Sequence, residues 1–437
     1  MSAMRAAAGE AETVHDHSRL RGRIDRALVN LSALLAFAGT LALFLISPML
    51  LTHWGVVYEL AGGSVIEKIH PGTWLLTLSL AVTMVRFPNP VAFAGAAFSV
   101  FPGLMAFLAT FVWLLAHAIL VQKTPFTPII DSFALPMIAL LALSSTTVRL
   151  RANLARAIHA ALIVNAALGL AEYLLGFRTT PYVAGEFALE DDWRSTALLG
   201  HPLANALAMG SYLIVLALGG GRDLPMLLRA LAFGLSLASM IAFGGRASLV
   251  LSLAAVGVIW ASRGAGVLSG RRVDLRVVAA AAALTPILVV ALVELYAAGF
   301  FDQMLERFVN DRGSAKARLI MLGFFKALSW TEIILGPDVA KIQAMQNVEG
   351  VEYGLESFFV AYILTYGAIV ACFFFVGVAC LIREIVRAAR PAALAPIIFF
   401  FTVAATSVSL SAKTTAFGIL VALLLTMLRP TAPAAQT

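Results

Sequence analysis

The stretch that decides the fold is Ala27 to Leu51, which reads ALVNLSALLAFAGTLALFLISPMLL and contains no charged residue. A helix needs about 20 apolar residues to cross the hydrocarbon core of a bilayer. The apolar core of a cleaved signal peptide is shorter, about 7–15 residues. The stretch therefore predicts a first membrane-spanning helix. Residues 1–26, which end in several arginines, form a polar cytoplasmic tail in this interpretation.

The same pattern recurs along the whole chain of 437 residues, of which 61% are hydrophobic and only 13% charged. Soluble proteins are about a quarter charged, so the composition excludes a water-soluble fold. Eleven further apolar stretches lie near 71–86, 91–121, 128–148, 157–176, 200–220, 228–244, 246–262, 276–298, 356–381, 391–411 and 414–428. We predict an all-α polytopic membrane protein with about 12 transmembrane helices, a single membrane domain at 27–429 and a cytoplasmic tail at 430–437. The helix boundaries are least defined in 71–121.

Basic residues between the apolar stretches predict the orientation, because inner loops are enriched in lysine and arginine. With both termini in the cytoplasm, the inner loops carry Arg149, Arg151, Arg156, Arg222, Arg229, Arg263, Arg271, Arg272, Arg276, Arg383, Arg387 and Arg390. The long segment 299–355 then becomes a large outer loop. Its stretch from Ser314 to Trp330 places apolar and basic residues on different helical sides, which predicts an amphipathic helix at the outer interface.

Several classes of function are excluded or disfavoured. No inner loop carries a Gly-x-x-x-x-Gly-Lys-Ser/Thr run, which excludes a nucleotide-driven pump. The seven histidines form no i, i+4 pair, and Cys372 and Cys380 share one apolar run, so we predict neither a metal site nor a disulfide framework. The basic residues are scattered as short clusters, which disfavours a nucleic-acid partner. We expect no cofactor.

Arg246 is a candidate binding residue because of the turn around it. The sequence Phe243-Gly244-Gly245-Arg246-Ala247-Ser248 separates two apolar stretches at the outer face, and its glycines would let the backbone approach a ligand closely. An arginine at membrane depth needs an anionic partner, and its planar fork suits phosphate oxygens. The alternative is an interfacial arginine whose side chain reaches the lipid headgroups.

A second basic group lies in the outer loop and includes Arg312 and Arg318. The stretch 313–318 leads into the amphipathic helix, which would hold Arg318 at the lipid surface near Arg246. Two converging guanidinium groups would form a site for a lipid-linked diphosphate. The alternative is a solvated charged face.

Glu356 opens the stretch 356–381, where a carboxylate at the start of a membrane helix is costly unless it is paired or functional. It could serve as a general base, or it could be structural. Glu172 and Glu294, near other helix ends, leave the same two alternatives open. His201 and Asn205, in Gly200-His201-Pro202-Leu203-Ala204-Asn205, could bind substrate or simply begin a helix.

Together these segments resemble the O-antigen ligase and polysaccharide polymerase superfamily of bacterial envelopes, whose members have many membrane helices and one large outer loop. The matching pieces are 200–205, the Gly245-Arg246-Ala247 turn, 313–318 followed by Trp330 and Leu335-Gly336, and Glu356-Ser357-Phe358 with Tyr366-Gly367. The resemblance implies a metal-independent, inverting, membrane-embedded glycosyltransferase in the bacterial inner membrane, with a glycan on undecaprenyl diphosphate as donor. By analogy Arg246 and Arg318 hold the diphosphate, Glu356 is the catalytic base, and His201, Asn205, Arg312 and Ser357 are further candidates for substrate binding.

One departure from the family bears on the choice of reaction. Ligases that attach O-antigen to lipid A core look as if they carry a His-Asn pair where this chain has Glu356-Ser357. A glutamate at that place is similar to polymerases of exopolysaccharide clusters, including those of biofilm matrix, so polymerisation is favoured and ligation is the alternative. The implied partners are the lipid bilayer and, in the same pathway, a flippase and a chain-length regulator. A secondary transporter or flippase is the competing class, but transporters carry charged sites at the bilayer midplane, whereas here nearly all charge lies at helix ends.

Overall fold

The computed structural model describes residues 2–59, 62–184, 187–188, 192–268, 286, 289–290, 293–309, 314–351 and 355–429. Apart from a two-residue antiparallel pairing of Val183–Ala184 with Phe187–Ala188, its regular structure is helical. Seven helices in these residues are long and apolar enough to cross a membrane: Gly22–Leu45, Gly103–Val121, Thr127–Ser144, Val148–Leu175, Met226–Phe243, Arg246–Ala265 and Ala368–Ala388. The predicted all-α, polytopic membrane class is confirmed. The number of about 12 spans stays a prediction, and most of 276–298 and all of 430–437 lie outside the described residues.

The helices follow one another along the chain, and among those described the longer connections include the ones after His53 and after Leu175. Their bounds are Ser2–Leu45, Pro48–His53, Pro71–Met84, Pro90–Val100, Gly103–Ala116, Thr127–Ile129, Leu135–Ser144, Val148–Leu175, Pro202–Ala217, Met226–Phe243, Arg246–Leu268, Asp302–Val309, Ser314–Ala327, Trp330–Leu335, Val339–Glu349, Phe358–Tyr366, Ala368–Ala388, Leu394–Ala404 and Ala416–Met427. π-Helical turns occupy His117–Val121 and Ile130–Ala134, and a 3-10 turn occupies Pro391–Ala393.

Proline and glycine explain where the helices differ from the apolar stretches. The first helix ends at Leu45 rather than Leu51, because Ser47 caps a new short helix that begins with Pro48. The overlong stretch 91–121 is divided at Phe101 and Pro102 into two helices. The stretch 356–381 is divided at Gly367, whose φ of +82° is in the region that favours glycine.

Two helices that are buried along nearly their whole length form the centre of the bundle, Pro202–Ala217 and Ala416–Met427. Small residues bring neighbouring helices close to them. A Cβ added at Gly210 would lie 2.4 Å from the ring of Phe399, so helix Leu394–Ala404 packs directly on the backbone of the central helix. Close van der Waals packing of this kind holds helices together in lipid, where the hydrophobic effect contributes little between them.

The described residues of the segment 299–355 form four short helices. In helix Ser314–Ala327 the apolar side, predicted from the sequence, is buried against protein: Met321, Phe324 and Leu328 pack in one cluster with Ile342, Leu355, Ala361 and Leu364. Ile320 and Phe325 pack at the edge of that cluster. This packing fixes the helix against the start of helix Phe358–Tyr366, immediately after Glu356.

Candidate functional site

The connections between helices come together around one cavity of about 1070 Å³. That volume is large for a small-molecule pocket, which typically measures about 300–1,000 Å³. Four of the residues singled out in the sequence line it: His201, Arg246, Arg318 and Glu356. The fold therefore brings together residues that are up to 155 positions apart in the chain.

Arg318 and Glu356 form an ion pair on the wall of this cavity. The Arg318 Nε lies 3.1 Å from the Glu356 Oε2, and the Arg318 Nη2 donates a hydrogen bond of 3.0 Å to the carbonyl oxygen of Thr406. The Arg318 side chain is 42% exposed and that of Glu356 is 25% exposed. Both groups are thus held in place yet remain accessible from the cavity.

Arg246 is the first residue of its helix and is fixed to helix Asp302–Val309. Its Nη1 donates a hydrogen bond to the carbonyl oxygen of Arg307, and Arg307 Nη1 donates one of 3.3 Å back to the carbonyl oxygen of Gly244. Arg307 also lines the cavity. The sequence placed Arg307 in a run of charges but gave no sign of this exchange, which joins residues more than 60 positions apart.

The glycines before Arg246 line the cavity and also allow close packing within the protein. Gly244 ends the preceding helix with a φ of +62°, and a Cβ there would lie 2.8 Å from the Arg194 side chain. A Cβ on Gly245 would lie 2.4 Å from the Cβ of Ala206. A side chain at either position would therefore clash with neighbouring protein atoms.

Arg194 is a cavity residue that the sequence analysis missed. Its Nε and Nη2 donate to the Asp192 carboxylate at 2.6–3.0 Å, and Nη2 also donates to the hydroxyl of Tyr182 at 2.9 Å. Burial would raise the pKa of Asp192, but the hydrogen bonds and charge of Arg194 lower it overall. The sequence showed only a short acidic loop here, and its other acidic residues, Glu190 and Asp191, lie outside the described residues.

Glu172 holds the loop that carries Arg194, and these contacts favour a structural role for Glu172. The side chain is buried and accepts hydrogen bonds from the backbone N–H groups of Thr179, Thr196 and Ala197 at 2.8–2.9 Å. It also accepts a short one from the Ser195 hydroxyl. One carboxylate thus fastens both ends of the loop to the end of helix Val148–Leu175.

His201 lies at the cavity and also begins helix Pro202–Ala217. Its Nδ1 accepts a hydrogen bond of 3.2 Å from the backbone N–H of Leu203. His201 thus begins this helix and is also a polar side chain on the cavity wall.

Asn205 and Ser357 are absent from the residues that line the cavity, among those the structure describes. Asn205 is fully buried, and its Nδ2 donates to the carbonyl oxygens of Thr196 and His201 at 2.6 and 3.1 Å. Ser357 is buried at the start of helix Phe358–Tyr366 and is not among the residues lining the cavity. The surroundings of Asn205 and Ser357 thus favour structural roles for both residues. Arg312 lies outside the described residues.

The cavity wall around Arg246 and Arg318 is positively charged overall. Among the described residues it combines four arginines with two carboxylates: Arg194, Arg246, Arg307, Arg318, Asp192 and Glu356. A second, mostly apolar groove of about 320 Å³ is lined by Arg246, Ala247, Val250, Leu251, Phe308 and Arg318. The same two arginines therefore border both a polar cavity and an apolar groove. A ligand with an anionic head and an apolar tail suits that combination.

Comparison with known proteins adds no assignment to this geometry. No protein-family model matches the sequence, and no curated protein matches it. The resemblance described above thus stays a prediction from the motifs.

Proposed function

We propose that the protein is a membrane-embedded glycosyltransferase that polymerises oligosaccharide repeat units, linked to undecaprenyl diphosphate, on the periplasmic face of the bacterial inner membrane. One observation carries the proposal: Arg246, Arg318 and Glu356 border a single cavity, and the two arginines also border an apolar groove. A lipid-linked diphosphate sugar has the three matching parts, an anion, a sugar and an apolar chain.

The donor occupies both spaces in this proposal. Its diphosphate lies against the guanidinium groups of Arg246 and Arg318, whose planar donor sets suit phosphate oxygens. The first isoprene units of the carrier lie on Val250, Leu251 and Phe308. The sugar then extends into the cavity, on the side of Glu356.

The reaction is a substitution at the anomeric carbon. A hydroxyl oxygen of the acceptor sugar attacks that carbon, and the bond from the carbon to the diphosphate oxygen breaks on the opposite face, with inversion. The bonding electrons leave with the diphosphate, whose growing charge the arginines stabilise. Glu356 accepts the proton of the attacking hydroxyl. The step uses only side chains of this protein and draws on no metal.

Polymerisation is preferred over ligation because of Glu356, at the place where the ligases are expected to carry histidine. The pathway partners are a flippase that delivers the donor and a chain-length regulator. The growing glycan and the incoming repeat both arrive on lipid carriers, so both substrates reach the cavity from the bilayer.

A deletion strain tests the proposal. Its undecaprenyl-linked glycans are analysed by mass spectrometry, with a strain complemented by the wild-type gene as control. Accumulation of single repeat units supports polymerisation. Accumulation of finished polymer on the carrier would indicate ligation instead, and no change in lipid-linked glycans would contradict the whole class of function.

A further inference from the structure

The same cavity has a second polar wall, which meets the proposed donor site at the Thr406 carbonyl oxygen bound by Arg318. It is formed by the segment between helices Leu394–Ala404 and Ala416–Met427, together with Glu59. The polar residues on it are Thr406, Ser407, Ser409, Lys413, Thr414, Thr415 and Glu59. Nothing in the sequence drew attention to this wall, because Lys413 stands alone between two apolar stretches.

Lys413 is held rigidly at this wall. Its Nζ donates a hydrogen bond of 2.8 Å to the carbonyl oxygen of Tyr58 and lies 3.3 Å from the centroid of the Tyr58 ring, a cation–π contact. The Tyr58 hydroxyl donates at 2.7 Å to Asp131, which is fully buried. Asp131 also accepts from the His70 N–H at 3.0 Å and the Thr73 hydroxyl at 2.7 Å.

The neighbouring hydroxyl groups are fixed as well. The Thr414 N–H donates to the Ser132 hydroxyl at 3.2 Å, which ties the segment to the π-helical turn that carries Asp131. The hydroxyl oxygens of Ser407 and Ser409 lie 2.7 Å apart. A wall preorganised in this way loses little conformational freedom when it binds a ligand.

The charge of this wall differs from that of the arginine wall. Lys413 interacts with the negative charges of Asp131 and Glu59, so this part of the cavity carries no surplus of positive charge. It is a poor site for a second diphosphate. An ammonium group that donates, a carboxylate that accepts and hydroxyl groups that do both are instead a suitable set for the hydroxyl groups of a sugar.

We infer that Lys413, Glu59, Ser409 and Thr414 form a binding site for a neutral sugar of the acceptor glycan. This inference rests on the proposed function and assigns each of the two substrates to one wall of the cavity. The donor diphosphate lies on the arginine wall, and the acceptor sugar lies on the Lys413 wall. Neutral sugar units are then favoured over acidic ones, because Asp131 and Glu59 repel a carboxylate.

Binding of two separate probes tests the inference on the full chain in lipid nanodiscs. Lactose, a neutral disaccharide, is measured by saturation-transfer NMR, and inorganic pyrophosphate is measured by calorimetry. The variants are Glu59→Gln and Lys413→Met, with Lys326→Met, at an exposed lysine, as the matched control. Glu59→Gln leaves the contacts of Lys413 with Tyr58 in place, so it tests the site even if Lys413→Met fails to fold.

We expect both site variants to bind lactose about tenfold more weakly, the effect of losing one hydrogen bond to a charged group. Their affinity for pyrophosphate should stay within about twofold of wild type. Unchanged lactose binding in Glu59→Gln, or tighter binding of glucuronate than of lactose by the wild type, would overturn the inference. Failure of the proposed donor site would give a different result. Arg246→Lys would then leave pyrophosphate binding unchanged, while Glu59→Gln and Lys413→Met would still weaken lactose binding.

Discussion

The Nε of Arg318 lies 3.1 Å from the Oε2 of Glu356, so the residue proposed to hold the leaving group and the residue proposed to accept the proton are bound to each other. In the reaction both must act on substrate. A diphosphate that arrives at Arg318 competes with Glu356 for the guanidinium. Donor binding thereby frees the Glu356 carboxylate for the acceptor hydroxyl, which couples the base to the presence of the donor.

Removing the charge of Glu356 should tighten anion binding. In Glu356→Gln the guanidinium of Arg318 is no longer neutralised, and a partly exposed ion pair is worth about 0.2–1 kcal/mol. We expect the affinity for inorganic pyrophosphate to rise by a factor of about 1.5–5. Calorimetry in nanodiscs measures it, with the exposed Glu349→Gln as control. Weaker binding in Glu356→Gln would show that Glu356 helps to hold the anion rather than competing with it.

Arg246→Lys keeps the positive charge but loses the planar donor set. If Arg246 stabilises the departing diphosphate, turnover should fall by a factor on the order of 10² while the protein folds and inserts normally. The measurement is polymer yield in cells matched for protein level. Arg263→Lys, at an exposed arginine of the same helix, is the control and should be neutral. Near-normal polymer from Arg246→Lys would return Arg246 to contact with lipid headgroups.

Glu172→Gln should destabilise the protein without touching the substrate. The carboxylate accepts hydrogen bonds from four groups of the loop, and an amide cannot satisfy all of them. Leaving a buried donor unpaired costs about 1–3 kcal/mol. We expect a lower midpoint of thermal unfolding in detergent. Glu294→Gln changes an exposed residue and serves as control; equal midpoints for the two variants would refute the structural role of Glu172.

Sugar binding at the Lys413 wall should weaken above neutral pH. Burial lowers the pKa of Lys413 to about 8, and the positive charge of Lys68 acts in the same direction, whereas the negative charges of Asp131 and Glu59 act in the opposite direction. Tyr58 contacts Lys413 directly, and the His70 ring packs on the Tyr58 ring. The charged form is therefore present at pH 7 and lost as the pH rises through 8. Lactose affinity should fall by up to about tenfold between pH 7 and pH 9.

Lys413→Arg provides the matched control for that pH dependence, because arginine stays charged throughout this range. Its lactose affinity should be nearly constant from pH 7 to pH 9. A constant affinity in the wild type, or the same decline in the arginine variant, would assign the pH dependence to another group.

The helical class and the membrane location followed from the sequence because apolar runs of spanning length leave a chain few other folds. The breaks were harder to place. Phe101 and Pro102 divide an apolar stretch that is continuous in composition, and Gly367 does the same in another. In both places a helix ends near a proline or a glycine, although the residues around it are continuously apolar.

The candidate site was only partly predictable for a related reason. Arg246 and Glu356 stand out because each is charged at the start of an apolar stretch, and Arg318 because it belongs to a basic group that leads into an amphipathic helix. Arg194 and Lys413 do not. Arg194 is defined as a cavity residue by the fold, which holds it against Asp192 and Tyr182, and Lys413 contacts Tyr58, which is 355 positions away in the chain. A contact of that range leaves no periodic signal in a single sequence.

The central claim is that Glu356 accepts the proton of the acceptor hydroxyl, and one measurement tests it most directly. Purified wild type and Glu356→Gln are compared in single-turnover consumption of the lipid-linked repeat, with donor binding measured separately on the same preparations. We predict normal or tighter donor binding by Glu356→Gln and a rate about 10²- to 10⁴-fold lower than wild type. Normal binding together with wild-type turnover would contradict the account, because the proton acceptor would then lie elsewhere.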